Sequence, residues 1–220
     1  MISLPSPNSP KSTAKDSESL ARPSKKTKII EAALDIFLHR GYAMTSMDAI
    51  ACRAAVSKST LYAHFSNKRA IFGAVVSLGV APFAGGLSIP ERIDDLRLCL
   101  KNLANSYCAM ICTPDSLAMY RVVLAESPKQ PEIGSIFYNA GIADARRSIT
   151  NLFRSLSHRD LLYFQSDDEP EIASDLFLSM LAGAQHQPAL FGMNTQKPGL
   201  AKRIEMAVDL LICRFGRKGH

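Results

Sequence analysis

No stretch of eighteen or more consecutive apolar residues occurs in the chain, so a membrane-spanning helix is not expected. The opening stretch, MISLPSPNSPKSTAKDSESLARPSKK, lacks the apolar centre of a secretory signal. Ser, Pro and Lys dominate it instead, the composition of a disordered arm, and residues 1–24 are read as such an arm with a basic character. Cysteine pairing is missing too. The five cysteines, at 52, 99, 108, 112 and 213, are odd in number and form no CxxC, which favours reduced thiols in a cytoplasmic protein over a disulfide framework. The histidines at 39, 64, 158, 186 and 220 have neither HExxH nor zinc-finger spacing, and no GxSxG, P-loop or GxGxxG is present. No metal, no cofactor and no enzymatic activity are therefore expected.

One further absence is local. Residues 49 to 80 contain no Asp or Glu. Across residues 1–80 there are eleven Lys/Arg against five Asp/Glu, whereas residues 81–220 hold fifteen of each. The whole excess of positive charge, +6, thus lies in the first third of the chain. A basic module joined to a neutral one suggests a polyanionic partner for the first. With 47% apolar residues over 220 positions, the chain can bury a sizeable core, as one large domain or two modest ones.

What is present is helical almost throughout. In KKTKIIEAALDIFLH, residues 25 to 39, Ile30, Ala33, Leu34 and Phe37 fall on one helical stripe, and Gly41 follows as a stop. Thr45 or Ser46 can cap MDAIACRAA, with Met47, Ile50, Ala51 and Ala54 facing inward. Ser57 can cap KSTLYAHF. Ser66 or Asn67 can cap KRAIFGAVVSLGV, which Pro82 and Gly85-Gly86 are expected to close. Only Ala55, Val56 and Ser57 separate the second helix from the third, the spacing of a helix-turn-helix. Small Ala51 and Ala55 suit the contact between the two helices, and Leu61 anchors the second.

The run IIEAALDIFLHRGYAMTSMDAIACRAAVSKSTLYAHFSNKRAIFGAVV resembles the N-terminal DNA-binding domain of TetR-family transcriptional regulators. The resemblance rests on the apolar first helix, Gly41-Tyr42, Thr45, Ile50-Ala51, Val56-Ser57, Thr60-Leu61-Tyr62, His64-Phe65 and Asn67-Lys68. Ala55 departs from the pattern, since the family usually has glycine in this turn. If φ is positive there, alanine costs roughly 1 kcal/mol. Residues 119–153, MYRVVLAESPKQPEIGSIFYNAGIADARRSITNLF, resemble the C-terminal domain of AefR-like regulators, through Arg121, Ala125-Glu126, Pro131-Glu132-Ile133 and Phe137-Tyr138.

The fold implied is all-α: a helix-turn-helix DNA-binding domain over 25–72, then a helical regulatory and dimerisation domain over 73–220. With Leu61 and Phe65 buried at i and i+4, Lys58, Ser59 and Tyr62 project from the opposite face of the third helix. Such a face fits the major groove. Lys58 can donate to guanine, Ser59 can pair with either base type, and Tyr62 offers a ring for a thymine methyl and a hydroxyl for phosphate. By resemblance, His64, Lys68, Thr60 and Thr45 or Ser46 contact phosphates. Lys25, Lys26 and Lys28 are read as backbone clamps. Thr60 as a mere capping residue and His64 as a structural surface histidine are the plain alternatives, and Arg53 and Arg69 are read as solvated charges.

Beyond residue 80, helices are expected from Pro90-Glu91 through Ile111, then over 114–126, 132–157, 170–191 and 198–215. Asp167, Asp168, Glu169 and Glu171 suit the dipole at the start of one of them better than they suit a metal site. In the last two helices, Leu176, Met180 and Leu181 with small Ala182, Gly183 and Ala184, and Ile204, Val208, Leu211 and Phe215, form stripes read as a homodimer interface, with monomer core as the alternative. The resemblance implies a repressor that leaves a palindromic, double-stranded DNA operator when a small-molecule effector binds. Candidate pocket residues, chosen for apolar character in the middle helices, are Tyr107, Cys108, Met119, Phe137, Tyr138 and Phe177. Cys108 and Cys112, at i and i+4, could instead sense oxidants, although inert buried thiols fit as well. A constitutive DNA-organising protein without a ligand is the rival function.

Overall fold

The computed structural model describes residues 23–85, 96–183, 185–193 and 199–216. Most of the expected basic arm and the expected helix start at Pro90-Glu91 lie outside them. Among the described residues there are eleven α-helices and one π-helical turn, and the only β feature is an isolated bridge between Leu162 and Gly216.

Local chemistry sets most helix ends. Helix α1 (Lys25–Arg40) begins where Ser24 Oγ accepts from the Thr27 amide at 3.1 Å, and it ends at Gly41, whose φ of 75° only glycine adopts freely. Ser46 caps α2 (Met47–Arg53), Ser57 caps α3 (Lys58–His64), and Asn67 accepts from the Ala70 amide at 2.9 Å to start α4 (Lys68–Gly85). After α5 (Leu96–Ile111), Thr113 caps α6 (Pro114–Glu126), with Pro114 in the first turn, where no amide donor is needed. Then follow α7 (Pro131–Phe137), the π turn (Tyr138–Ile142), α8 (Ala143–His158), α9 (Glu169–Ala182), α10 (His186–Leu190) and α11 (Leu200–Phe215).

Four expectations change. Helix α2 stops at Arg53, not Ala55, because Ala55 turns left-handed with φ 52°. Helix α4 continues through Pro82 to Gly85, since a proline removes one donor without forcing an end. The helix expected over 132–157 contains a π turn, in which the Ala143 amide donates to Tyr138 O. The helix expected over 170–191 breaks after Ala182 into α9 and α10.

Two clusters of buried side chains organise the molecule. The first joins α1–α4 to Met119 and Val123 of α6 and Ile133 of α7. The second joins Phe83 of α4 to α5, α8, α9 and α11. Helix α4 therefore belongs to both, and the helix-turn-helix shares its core with the regulatory helices. Leu181, Ile204, Val208, Leu211 and Phe215, read from sequence as interface, are all buried in the second cluster. The faces of α9 and α11 that do reach solvent carry Ile172, Leu176, Met206 and Leu210. Glu169, at the start of α9, accepts from Arg214 at 2.9 Å, which ties that acidic turn to α11. Among the described residues, no group of three or more His, Cys, Asp or Glu could hold a metal ion.

Candidate DNA interface and effector cavity

Helix α3 is short, so its ends decide its orientation. Ser57 Oγ accepts from the Thr60 amide at 3.1 Å and also pairs with the hydroxyls of Ser59 (2.9 Å) and Thr60 (2.8 Å). Leu61 is fully buried and Phe65 6% exposed, which seats one face of α3 in the first core cluster. The opposite face carries Lys58, Ser59 and Tyr62, and Tyr62 is 53% exposed. Lys58 donates to Asp48 Oδ2 at 2.8 Å, and this bond holds its ammonium above the ordinary lysine range. The pair is solvent-exposed, so a phosphate or base can replace Asp48 at little cost.

Ser46, His64, Lys25, Lys26 and Lys28 are exposed as well. Three of the expected contacts are placed otherwise. Thr45 is buried, and its hydroxyl donates to Gly41 O at 2.7 Å, closing the turn between α1 and α2. Lys68 spends its ammonium donors on the carbonyls of Tyr42 (2.7 Å), Thr45 (2.7 Å) and Ala43 (3.4 Å), 4.2 Å from the centre of the Tyr42 ring. Burial pushes its pKa down. Lys68 thus acts through the loop that starts α2, not as a free phosphate ligand. Thr60 is half-buried and occupied by Ser57.

Several residues that tie this module together, or to the rest, were not given those roles from sequence. Arg53, read as solvated, donates to Asp35 at 2.8 Å, and Arg69 donates to Glu132 of α7 at 2.7 Å. Glu126, at the end of α6, accepts from the Ala43 amide at 3.3 Å. Tyr42 packs with Phe37 and Phe72, ring centres 5.3 to 5.5 Å apart. The Gly41-Tyr42 signal marked this turn, but only the folded chain shows α6 and α7 gripping it.

A cavity of about 730 Å³ lies beside that junction. Its walls come from α1 (Leu34), α4 (Val75, Val76), α5 (Tyr107), α6 (Met119, Tyr120), the Phe137–Ile142 segment and α10 (His186). Of the six residues proposed from sequence, Tyr107, Met119 and Phe137 line it. Cys108 and Phe177 lie in the second core cluster, and Tyr138 faces outward at 45% exposure. The apolar pattern marked these residues as inward-facing without distinguishing a cavity wall from a filled core. Burial pushes the Tyr107 hydroxyl up to about 12, the Cys108 thiol up to about 11 and the Cys112 thiol upward, and it lowers the pKa of His186. Protonated thiols, that of Cys108 buried and that of Cys112 half-buried, are poor nucleophiles, which weighs against oxidant sensing by the pair.

A capped recognition helix on a basic, helical module, joined to a helical domain with a cavity at their junction, defines a two-domain helix-turn-helix transcriptional regulator. The chain belongs to the TetR family: residues 29–75 match the family described as "Bacterial regulatory proteins, tetR family", and residues 99–217, more than half of the chain, match "AefR-like transcriptional repressor, C-terminal domain". It is 40% identical over 68 residues, 31% of each chain, to the HTH-type transcriptional activator FasR of Mycolicibacterium smegmatis. It is 31% identical over 84 residues to the HTH-type transcriptional repressor SCO4008 of Streptomyces coelicolor, a match covering 38% of this chain and 43% of that one. These matches span less than half the length of either curated relative. Among solved structures, the flavonoid-responsive regulator FrrA superposes with a TM-score of 0.72 at 26% identity, over 89% of this chain and 98% of the other. These families and relatives are transcriptional regulators, not enzymes.

Proposed function

We propose that the protein is a dimeric, cytoplasmic repressor that binds a palindromic operator through α3 and is released when a small molecule enters the cavity. The observation that carries this reading is shared packing. Leu34, Val75 and Val76 line the cavity and also belong to the cluster that holds Leu61 and Phe65 of α3. A ligand that changes this wall acts on the seat of the recognition helix, and its effect is limited to its differential affinity for the two arrangements. Two copies meeting through the exposed apolar faces of α9 and α11 would set two α3 helices against successive major grooves, roughly 34 Å apart. One relative of similar fold is named as flavonoid-responsive, which supports a ligand-gated reading.

The test is selection of bound fragments from genomic DNA by the purified protein, followed by release of the recovered duplex on ligand addition. Recovery of an inverted repeat that a small molecule displaces is the expected result. Uniform recovery of all fragments, insensitive to any ligand, would favour a constitutive DNA-organising protein.

A further inference from the structure

The cavity is lined by groups that differ sharply in what they can pair with. No lysine or arginine is among its described lining residues, and the one formal charge is Asp115, at the exposed rim. The N-terminus of α6 opens at that rim and would ordinarily attract an anion. Here it is already satisfied: Thr113 Oγ1 accepts from the Ser116 amide at 3.1 Å, and Asp115 supplies a negative charge in the first turn. An anionic ligand would be desolvated without a partner.

The walls instead offer ring faces and neutral polar groups. Tyr120 stands edge-on to Phe137 (5.2 Å between centres) and to His186 (4.8 Å), while Phe83 and Tyr107 pack at 5.8 Å. Among the described residues, no hydrogen bond engages the hydroxyls of Tyr107 and Tyr120 or the ring nitrogens of His186. Each belongs to a partly buried residue that lines the cavity, so each can pair with a bound ligand. Burial keeps Tyr107 protonated and His186 neutral near pH 7, which leaves one donor and one neutral donor-acceptor facing the space.

Resting on the reading of this cavity as the effector site, we infer that the effector is a non-anionic aromatic compound bearing hydroxyl or carbonyl groups, stacked between the ring walls and hydrogen-bonded to Tyr107, Tyr120 and His186. Among the described residues the lining offers no cation to a carboxylate or a phosphate. A volume of about 730 Å³ admits two or three fused or linked rings.

The experiment is calorimetric titration of the full-length, DNA-free protein near neutral pH with two probes of one shape: 4-hydroxybiphenyl and biphenyl-4-carboxylate. The expected result is binding of 4-hydroxybiphenyl at least about tenfold tighter than of the carboxylate. Tyr107→Phe and His186→Phe, which keep ring and volume, should each erode that preference several-fold without lowering the unfolding temperature of the free protein. Equal or tighter binding of the carboxylate, or no binding of either probe at millimolar concentration, would overturn the inference. Because no DNA is present, the expected preference in a protein whose DNA binding ignores ligands would uphold the ligand class and count only against the repressor reading.

Discussion

Ala55 carries the clearest cost borne by a single residue. Its φ of 52° is left-handed, and a Cβ is strained there. Ala55→Gly should stabilise the protein by up to about 1 kcal/mol, read as a higher denaturant midpoint at unchanged slope. A lower midpoint would mean that the turn is held by contacts of the alanine methyl. This strain was legible beforehand, because a fixed turn spacing dictates backbone geometry whatever surrounds it. The roles of Thr45 and Lys68 were not. Sequence gives their position along the chain, but whether Lys68 meets phosphate or the carbonyls of Tyr42 and Thr45 depends on how α4 docks against a loop some 23 to 26 residues away in sequence. His186 supplies a pH dependence. Its folded pKa lies below the ordinary histidine value, so the unfolded chain binds the proton more readily. Stability contributed at this site is therefore present above the unfolded pKa and is lost as pH falls through it toward the lower folded value. His186→Phe should flatten the part of the stability profile between pH 7 and 5 that this residue contributes, whereas an unchanged profile would show that His186 is not the titrating group.

Among the elements, α1 to α3 were readable nearly to the residue, since caps, apolar stripe and turn all agree on one answer. The π turn was not readable. Within it, Gly141 packs against α4 so closely that a Cβ there would meet Val76 Cγ1 at 3.1 Å. The missing side chain lets the Phe137–Ile142 segment approach α4, and both Gly141 and Val76 line the cavity. Gly141→Val should thus destabilise the fold by about 1–3 kcal/mol through overpacking and should weaken ligand binding. Unfolding and ligand titrations unchanged from the parent would show that the close approach is incidental. The break between α9 and α10 was likewise invisible, because the apolar pattern runs through it.

At the scale of the whole molecule, the asymmetry of charge and the all-helical architecture were both evident from composition and periodicity. The division of apolar stripes between core and surface was not. Two apolar stripes on one helix look alike in sequence, and only packing shows that Val208 and Leu211 are core while Leu210 is 57% exposed. The proposed dimer through the outer faces of α9 and α11 should accordingly be disrupted by Leu176→Glu with Leu210→Glu. Sedimentation should show monomers with parental helicity for this double variant and dimers for the parent. A variant that still sediments as a dimer would move the interface elsewhere.

In the proposed function, the seat of Leu61 and Phe65 presents α3 to duplex DNA, with Tyr62 as the exposed large hydrophobic side chain of that helix. Affinity of the recovered operator duplex for the parent protein and for Tyr62→Ala, measured from 50 to 200 mM salt, tests this most directly. The parent should lose on the order of 10³-fold in affinity across that range. Tyr62→Ala should bind the operator more weakly by ~1–3 kcal/mol at every salt concentration, with nonspecific affinity and salt slope retained. Operator binding that is flat in salt and indifferent to Tyr62 would contradict the assignment of α3 as the DNA-reading element.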